Sequence, residues 1–154
     1  MELQPFNKSY QDLINGYRLD ESQLQFTGHP RECVKLLSTT RTPVLAIVEG
    51  KLVTYFDLHQ NEGVAPYSDN DHAILVRAFS TVVHEQGKGY AKKALQLLPV
   101  YVKSNFPHIN EIVLAVNIAN TAAQNLYKKC GFTDYGVRRQ GSKGELIVMS
   151  LFLD

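Results

Sequence analysis

Apolar residues recur along the chain in two periods, and the switches between them mark the expected elements. Leu3 to Phe6 fits a short strand. A polar, aromatic region from Lys8 to Phe26 follows, with weak helical spacing through Leu13 and Tyr17. Gly28-His29-Pro30 breaks it, and Glu32 to Leu37 predicts a short helix with Cys33, Leu36 and Leu37 on one side. Val44 to Val48 and Leu52 to Leu58 flank Glu49-Gly50, the pattern of a β-hairpin. Asn61 to His72 gathers Gly, Pro, Asp and Asn into a loop that is long for a compact domain, and such loops often serve function. Ala73 to Val83 reads as a strand. Tyr90 to about Ser104 reads as a helix with Ala91, Ala94, Leu95 and Leu98 on one stripe. Pro99 interrupts that stripe and is expected to kink or split the helix. Glu111 to Val116 predicts a strand, and Asn120 opens a second helix that Gly131 ends. Asp134 to Gln140, Gly141 to Gly144 and Glu145 to Leu153 read as strand, turn, strand.

This order describes a mixed α/β (α+β) domain, with one hairpin before and one after two strand–helix units. The 154 residues suit a single domain over 1–154. Hydrophobic residues at 44% and charged residues at 20% are a globular composition and argue against long disorder. The net charge of +1 gives no bulk attraction to nucleic acid or anionic membrane, so neither is expected as a partner. The basic pairs Lys92-Lys93, Lys128-Lys129 and Arg138-Arg139 read as solvated faces. No apolar run approaches the ~18 residues that span a bilayer. The stretch MELQPFNKSY lacks the basic start and apolar core of a secretory signal. Cys33 and Cys130 stand far apart and read as inert thiols, and the histidines form no HxxxH pair, so no metal is expected. The expected setting is soluble, reduced and cytoplasmic.

Thr81 to Ala94, TVVHEQGKGYAKKA, runs strand, glycine-rich loop, helix. That order aims the free N–H groups of a helix's first turn, and its dipole, at whatever fills the loop. Glycines let the backbone approach a bulky anion, and Lys88 and Lys92 add charge. The natural ligand is a phosphate or diphosphate. The spacing fits neither GxxxxGK[ST] nor GxGxxG. Taken alone, the loop also admits a second, less favoured reading, a plain glycine turn that caps a helix.

Asn120 to Phe132, NTAAQNLYKKCGF, supplies the second motif. Asn120 is a good N-cap, and Gly131 is placed to end the helix in a left-handed turn. Asn120 and Tyr127 are seven apart and share nearly one helix face. Spacing alone favours a packed core tyrosine at 127.

With both motifs in view, the sequence resembles the GNAT superfamily of N-acetyltransferases. The family's [QR]xxGx[GA] motif corresponds to Gln86-Gly87-Lys88-Gly89-Tyr90-Ala91. Its later signature corresponds to Asn120, Ala123, Leu126-Tyr127 and Gly131-Phe132. The resemblance is specific from Ala73 to Phe132 and implies a mixed, mostly antiparallel twisted sheet of six to seven strands with about four helices. It implies acetyl-CoA as cosubstrate, no metal, and transfer to a primary amine of a small molecule or peptide in a ternary complex. Phe79-Ser80-Thr81 should pair its backbone with the pantetheine arm. Gln86, Gly87, Lys88, Gly89, Tyr90, Ala91 and Lys92 should hold the diphosphate. Asn120 should hydrogen-bond the cofactor arm. Tyr127 should sit near the sulfur as general acid, and a backbone N–H near Thr81 should meet the oxyanion. Where some members carry a glutamate, this chain has Leu75 and Ala115, so a relayed base is sought among Asp57, His59, His72, His84 and Glu85.

The acceptor wall is expected from the N-terminal helices and from 61–72. Those stretches carry Tyr10, Tyr17, Asp20, Glu21, Glu62, Tyr67, Asp69 and Asp71, an acidic and aromatic set that would suit a cationic amine. The rival readings are a non-catalytic acyl-CoA-binding sensor and a nucleotide-binding protein. Assembly as a monomer or a homodimer is equally compatible with the sequence.

Overall fold

A computed structural model describes residues 1–154. One seven-stranded sheet runs in the order β1-β2-β3-β4-β5-β7-β6. Its strands are β1 (Glu2–Pro5), β2 (Arg41–Val48), β3 (Lys51–His59), β4 (Ala73–Thr81), β5 (Glu111–Asn117), β6 (Thr133–Gly141) and β7 (Gly144–Phe152). Every neighbouring pair is antiparallel except β4 and β5. The helices are α1 (Gln11–Asn15), α2 (Glu21–Leu24), α3 (Pro30–Cys33), α4 (Tyr90–Asn105) and α5 (Thr121–Lys129). The mixed, mostly antiparallel sheet is the one expected, and no helix is long and apolar enough to cross a membrane.

Alternation along the strands divides the core between the two sheet faces. Ile74, Val76, Ile112, Leu114, Ile147 and Met149 pack against Leu95, Leu98 and Val102 of α4, with Leu126 and Tyr127 of α5 alongside. On the other face, Leu75, Val113 and Val148 pack on Val64, and Leu45, Leu52 and Tyr55 pack on Ile14, Tyr17, Cys33 and Val34. Each fully buried side chain of this size contributes about 1.5–3 kcal/mol by leaving water.

Two expectations need correction. Of the two outcomes expected at Pro99, the split does not occur, because helix α4 runs continuously from Tyr90 to Asn105. Leu98 and Val102 on either side of Pro99 are both fully buried, so packing holds the helix although the carbonyl of Leu95 loses its N–H partner. Strand β4 stops at Thr81, before Val83, because Val83–Glu85 closes into a 3₁₀ turn.

One irregularity shapes the molecule. The parallel pairing of β4 and β5 covers only Ala73–Val76 against Glu111–Leu114. Beyond it, β4 continues on β3 to Thr81 and β5 continues on β7 to Asn117, so the two strands part. On β4, three steps from Arg77 to Ser80 oppose two from Asp57 to Tyr55, and Ala78 takes a left-handed φ of 55°. This is a β-bulge, which bends and twists its strand. Parting and bulge together open a wedge in the middle of the sheet.

Candidate active site

The wedge holds two cavities that meet. The smaller, about 380 Å³, is lined by Phe79 and Ser80 of β4, Val116 of β5, and Asn120, Ala122 and Tyr127 around the start of α5. The larger, about 740 Å³, is lined by Glu32 and Cys33 of α3, Arg41, Tyr67, Leu75 and Lys143, among others. Phe26, Thr27, Arg77, Ala78, Ala115 and Asn117 line both. The bulge at Ala78 therefore lies where the two spaces join.

Tyr127 is half-buried and stands on the cleft side of α5. Its ring meets Phe79 edge-on at 6.1 Å and Phe132 at 6.2 Å. Tyr127 is thus packed, as its spacing suggested, and also lines the smaller cavity. Its hydroxyl makes no hydrogen bond within the chain and is not sealed in the core. Burial of the ring pushes its pKa above the usual tyrosine range, and the Cys130 thiol adds to that.

Asn120 lines the smaller cavity, and its Oδ1 accepts from the N–H of Ala123 at 3.2 Å, capping α5. The cap uses the oxygen and leaves the amide nitrogen free to donate.

The glycine loop has the backbone that its sequence called for. Gly87 and Gly89 hold φ of 79° and 81°, values that favour glycine. No N–H from Gly87 to Lys92 has a partner within the chain; the first amide of α4 to bond back is Lys93, to the carbonyl of Gly89. The row opens α4, so the helix dipole adds to it. Lys88 turns to Glu85 at 2.8 Å, which holds the Glu85 carboxyl below its usual range.

The strand triple is divided. Phe79 and Ser80 line the smaller cavity and Thr81 does not. The Ser80 carbonyl accepts the buried Tyr17 hydroxyl at 2.7 Å, and the Thr81 carbonyl accepts Nε2 of Gln23 at 2.7 Å. Tyr17 and Gln23 thus tie the N-terminal segment to the end of β4.

Below the larger cavity lies a closed charged cluster. Arg41 Nη2 meets Asp57 Oδ2 at 2.6 Å, Arg41 Nε donates to it at 2.8 Å, and the Tyr55 hydroxyl donates to Oδ1. Tyr55 and Asp57 are completely buried. Beside them, burial pushes the Cys33 thiol up to about 11, so it is a protonated wall. Of the relay candidates, Asp57, His59, His72, His84 and Glu85, none lines either meeting cavity. Leu75 and Ala115 do line them, as apolar walls.

The acidic wall does not form. Of the eight residues expected there, only Tyr67 lines the larger cavity. Asp20 instead caps α2, Glu62 accepts the Thr40 hydroxyl, and Tyr17 is committed to Ser80. Among the residues that line the space and escaped the sequence reading are Thr27, Arg77 and Lys143. Thr27 Oγ1 is buried without a partner. Arg77 had a visible signal, a lone charge inside the apolar run of β4. Lys143 had none, because it reaches the site only through the β6–β7 turn.

Comparison with known proteins agrees with this geometry. Residues 7–132 match a model of the acetyltransferase (GNAT) family. An uncharacterized N-acetyltransferase of Bacillus subtilis (strain 168), YbbJ, is 40% identical over 143 residues, which is 91% of this chain and 89% of the relative. Among solved structures, the aminoglycoside acetyltransferase AAC(6')-Ib with ribostamycin and coenzyme A has the same fold, with TM-score 0.78 and 17% identity over 97% of this chain and 92% of that one. The spermidine N-acetyltransferase of Vibrio cholerae, with coenzyme A and spermine, gives TM-score 0.72 and 16% identity over 98% and 94%. The family match takes in the wedge, the glycine loop and Tyr127, and the chain belongs to the GNAT family as an N-acetyltransferase.

Proposed function

We propose that the protein moves the acetyl group of acetyl-CoA to a primary amine, by direct attack in a ternary complex. The observation that carries this reading is the row of unpartnered N–H groups from Gly87 to Lys92 at the start of α4. Such a row suits a diphosphate, and left-handed glycines keep it concave. The β4 edge at Phe79 and Ser80, which β5 has left, suits the pantetheine arm, and the Asn120 amide is available to donate to it. The larger cavity is the acceptor side, and the thioester carbonyl belongs at the Ala78 junction.

The amine nitrogen attacks the thioester carbonyl. A C–N bond forms, the C–S bond breaks, the amine loses a proton and coenzyme A leaves as the thiol. Transfer of a whole proton from a tyrosine (pKa ~10) to a thiolate (~8.5) is uphill by roughly 2 kcal/mol at ordinary values. Burial raises Tyr127 further, so it serves as a hydrogen-bond donor to the developing thiolate. With apolar walls at Leu75 and Ala115, the amine arrives neutral and its proton leaves through water in the open acceptor cavity. Release of free thiol from acetyl-CoA, followed across a panel of amines, tests the reading. Coenzyme A binding without amine-dependent release would replace it with a non-catalytic acyl-CoA-binding module.

A further inference from the structure

The acceptor-side cavity has a charge pattern opposite to an acidic wall. Its charged residues are Glu32, Arg41, Arg77 and Lys143. Glu32 faces Lys35 at 3.2 Å, and Arg41 is neutralised by the buried Asp57. Arg77 and Lys143 form no salt bridge. Arg77 Nη1 lies 3.3 Å from Nδ1 of His59, and Lys143 Nζ donates to the Leu24 carbonyl at 3.3 Å. Two cations without a carboxylate partner therefore border one cavity.

The same cavity keeps large apolar side chains in water. Leu24, Phe26 and Leu36 are 40%, 36% and 54% exposed, and all three line it. Grouped at one cavity, they form an apolar patch of the kind that marks a binding site. Arg77 lines both cavities, so an anion held there sits close to the Ala78 junction.

We propose that the acceptor is an apolar α-amino acid. Its carboxylate lies between Arg77 and Lys143, its side chain lies on Leu24, Phe26 and Leu36, and its amine points to the junction. A guanidinium fork and an ammonium on the wall of one cavity suit a carboxylate, while a polyamine or aminoglycoside would bring its charges against both cations. The inference rests on the acetyl-transfer reading and specifies its acceptor.

The test uses the full chain with acetyl-CoA and compares leucine, leucinamide, spermidine and O-phosphoethanolamine at matched free-amine concentrations. The expected kcat/KM for leucine exceeds that for leucinamide by about tenfold or more, the scale of a charge-assisted contact, with spermidine and O-phosphoethanolamine lower still. Arg77→Gln and Lys143→Gln each raise the KM for leucine several-fold more than they raise it for leucinamide, so the preference for leucine shrinks. Leucinamide, spermidine or O-phosphoethanolamine used as well as leucine overturns the inference, as do variants that weaken leucine and leucinamide alike. Acetyl-CoA binding by calorimetry with no thiol release for any amine overturns the transfer reading itself, whereas release that favours a polycation overturns only the acceptor.

Discussion

The ring of Tyr127 stands edge-on to that of Phe79, with centroids 6.1 Å apart and planes at 82°. Packing therefore fixes the ring, and the hydroxyl is left free of any bond inside the chain. Tyr127→Phe keeps the packing and removes only the donor. We expect kcat to fall about a hundredfold, the lower end for a lost donor to developing charge, with acetyl-CoA affinity nearly unchanged. Thiol-release kinetics and calorimetry measure the two separately, and an unaltered kcat removes Tyr127 from the mechanism.

The left-handed turns at Gly87 and Gly89 have open space where a Cβ would be, so Gly89→Ala meets only a backbone penalty. That penalty is roughly 1–2 kcal/mol, and relaxing it turns the row of N–H groups. Acetyl-CoA affinity should drop by about tenfold, while a pantetheine thioester that lacks the diphosphate should bind the variant and the parent alike. An equal loss for both ligands would place the diphosphate elsewhere.

Asp57, itself shut off from water, neutralises Arg41 at the floor of the larger cavity. Asp57→Ala leaves that guanidinium uncompensated, and we expect a loss of about 3–5 kcal/mol in urea unfolding. A loss below about 1 kcal/mol, the scale of an exposed pair, would mean that water reaches the cluster.

His59 lies on the Gly63 backbone, and burial, followed by Arg77 and Arg41, holds its pKa below the usual histidine value. The unfolded chain therefore takes up a proton near pH 6.5 while the folded chain does not. Stability from this site is complete above that pH and is lost as pH falls through the depressed folded value. Urea midpoints should decline from pH 7.5 to 5.5, and His59→Gln should flatten the decline. An equal slope in the variant would assign it to other groups.

Because Leu75 and Ala115 cannot accept a proton, the reaction should follow the neutral fraction of the amine. The logarithm of kcat/KM is expected to rise with unit slope up to the amine's own pKa. A plateau near neutral pH would reveal a side-chain base.

Local chemistry was the part most open to reading. The glycine loop and the second helix each depend on residues within a turn of one another, and both formed as expected around Gly87, Gly89 and Asn120. The acceptor wall depends on which distant segments meet at the wedge. Asp20 is acidic and near the cleft in sequence, but its carboxylate satisfies the N-terminus of α2. Lys143 reaches the same cleft from the far end of the chain, across 119 residues from Leu24. Periodicity also left a split at Pro99 open, because it weighs a missing hydrogen bond without the burial of Leu98 and Val102 that keeps the helix continuous.

The early end of the β4–β5 pairing gives this open sheet two inner margins in addition to its outer ones. Unpaired strand margins invite pairing with other chains, and in the function proposed above the occupant of the gap is the acyl donor. A ligand that binds only the folded form also raises its stability by mass action. If the donor fills the gap as proposed, coenzyme A covers these margins as well as feeding the reaction, and heating with and without coenzyme A should separate both the melting point and the turbidity.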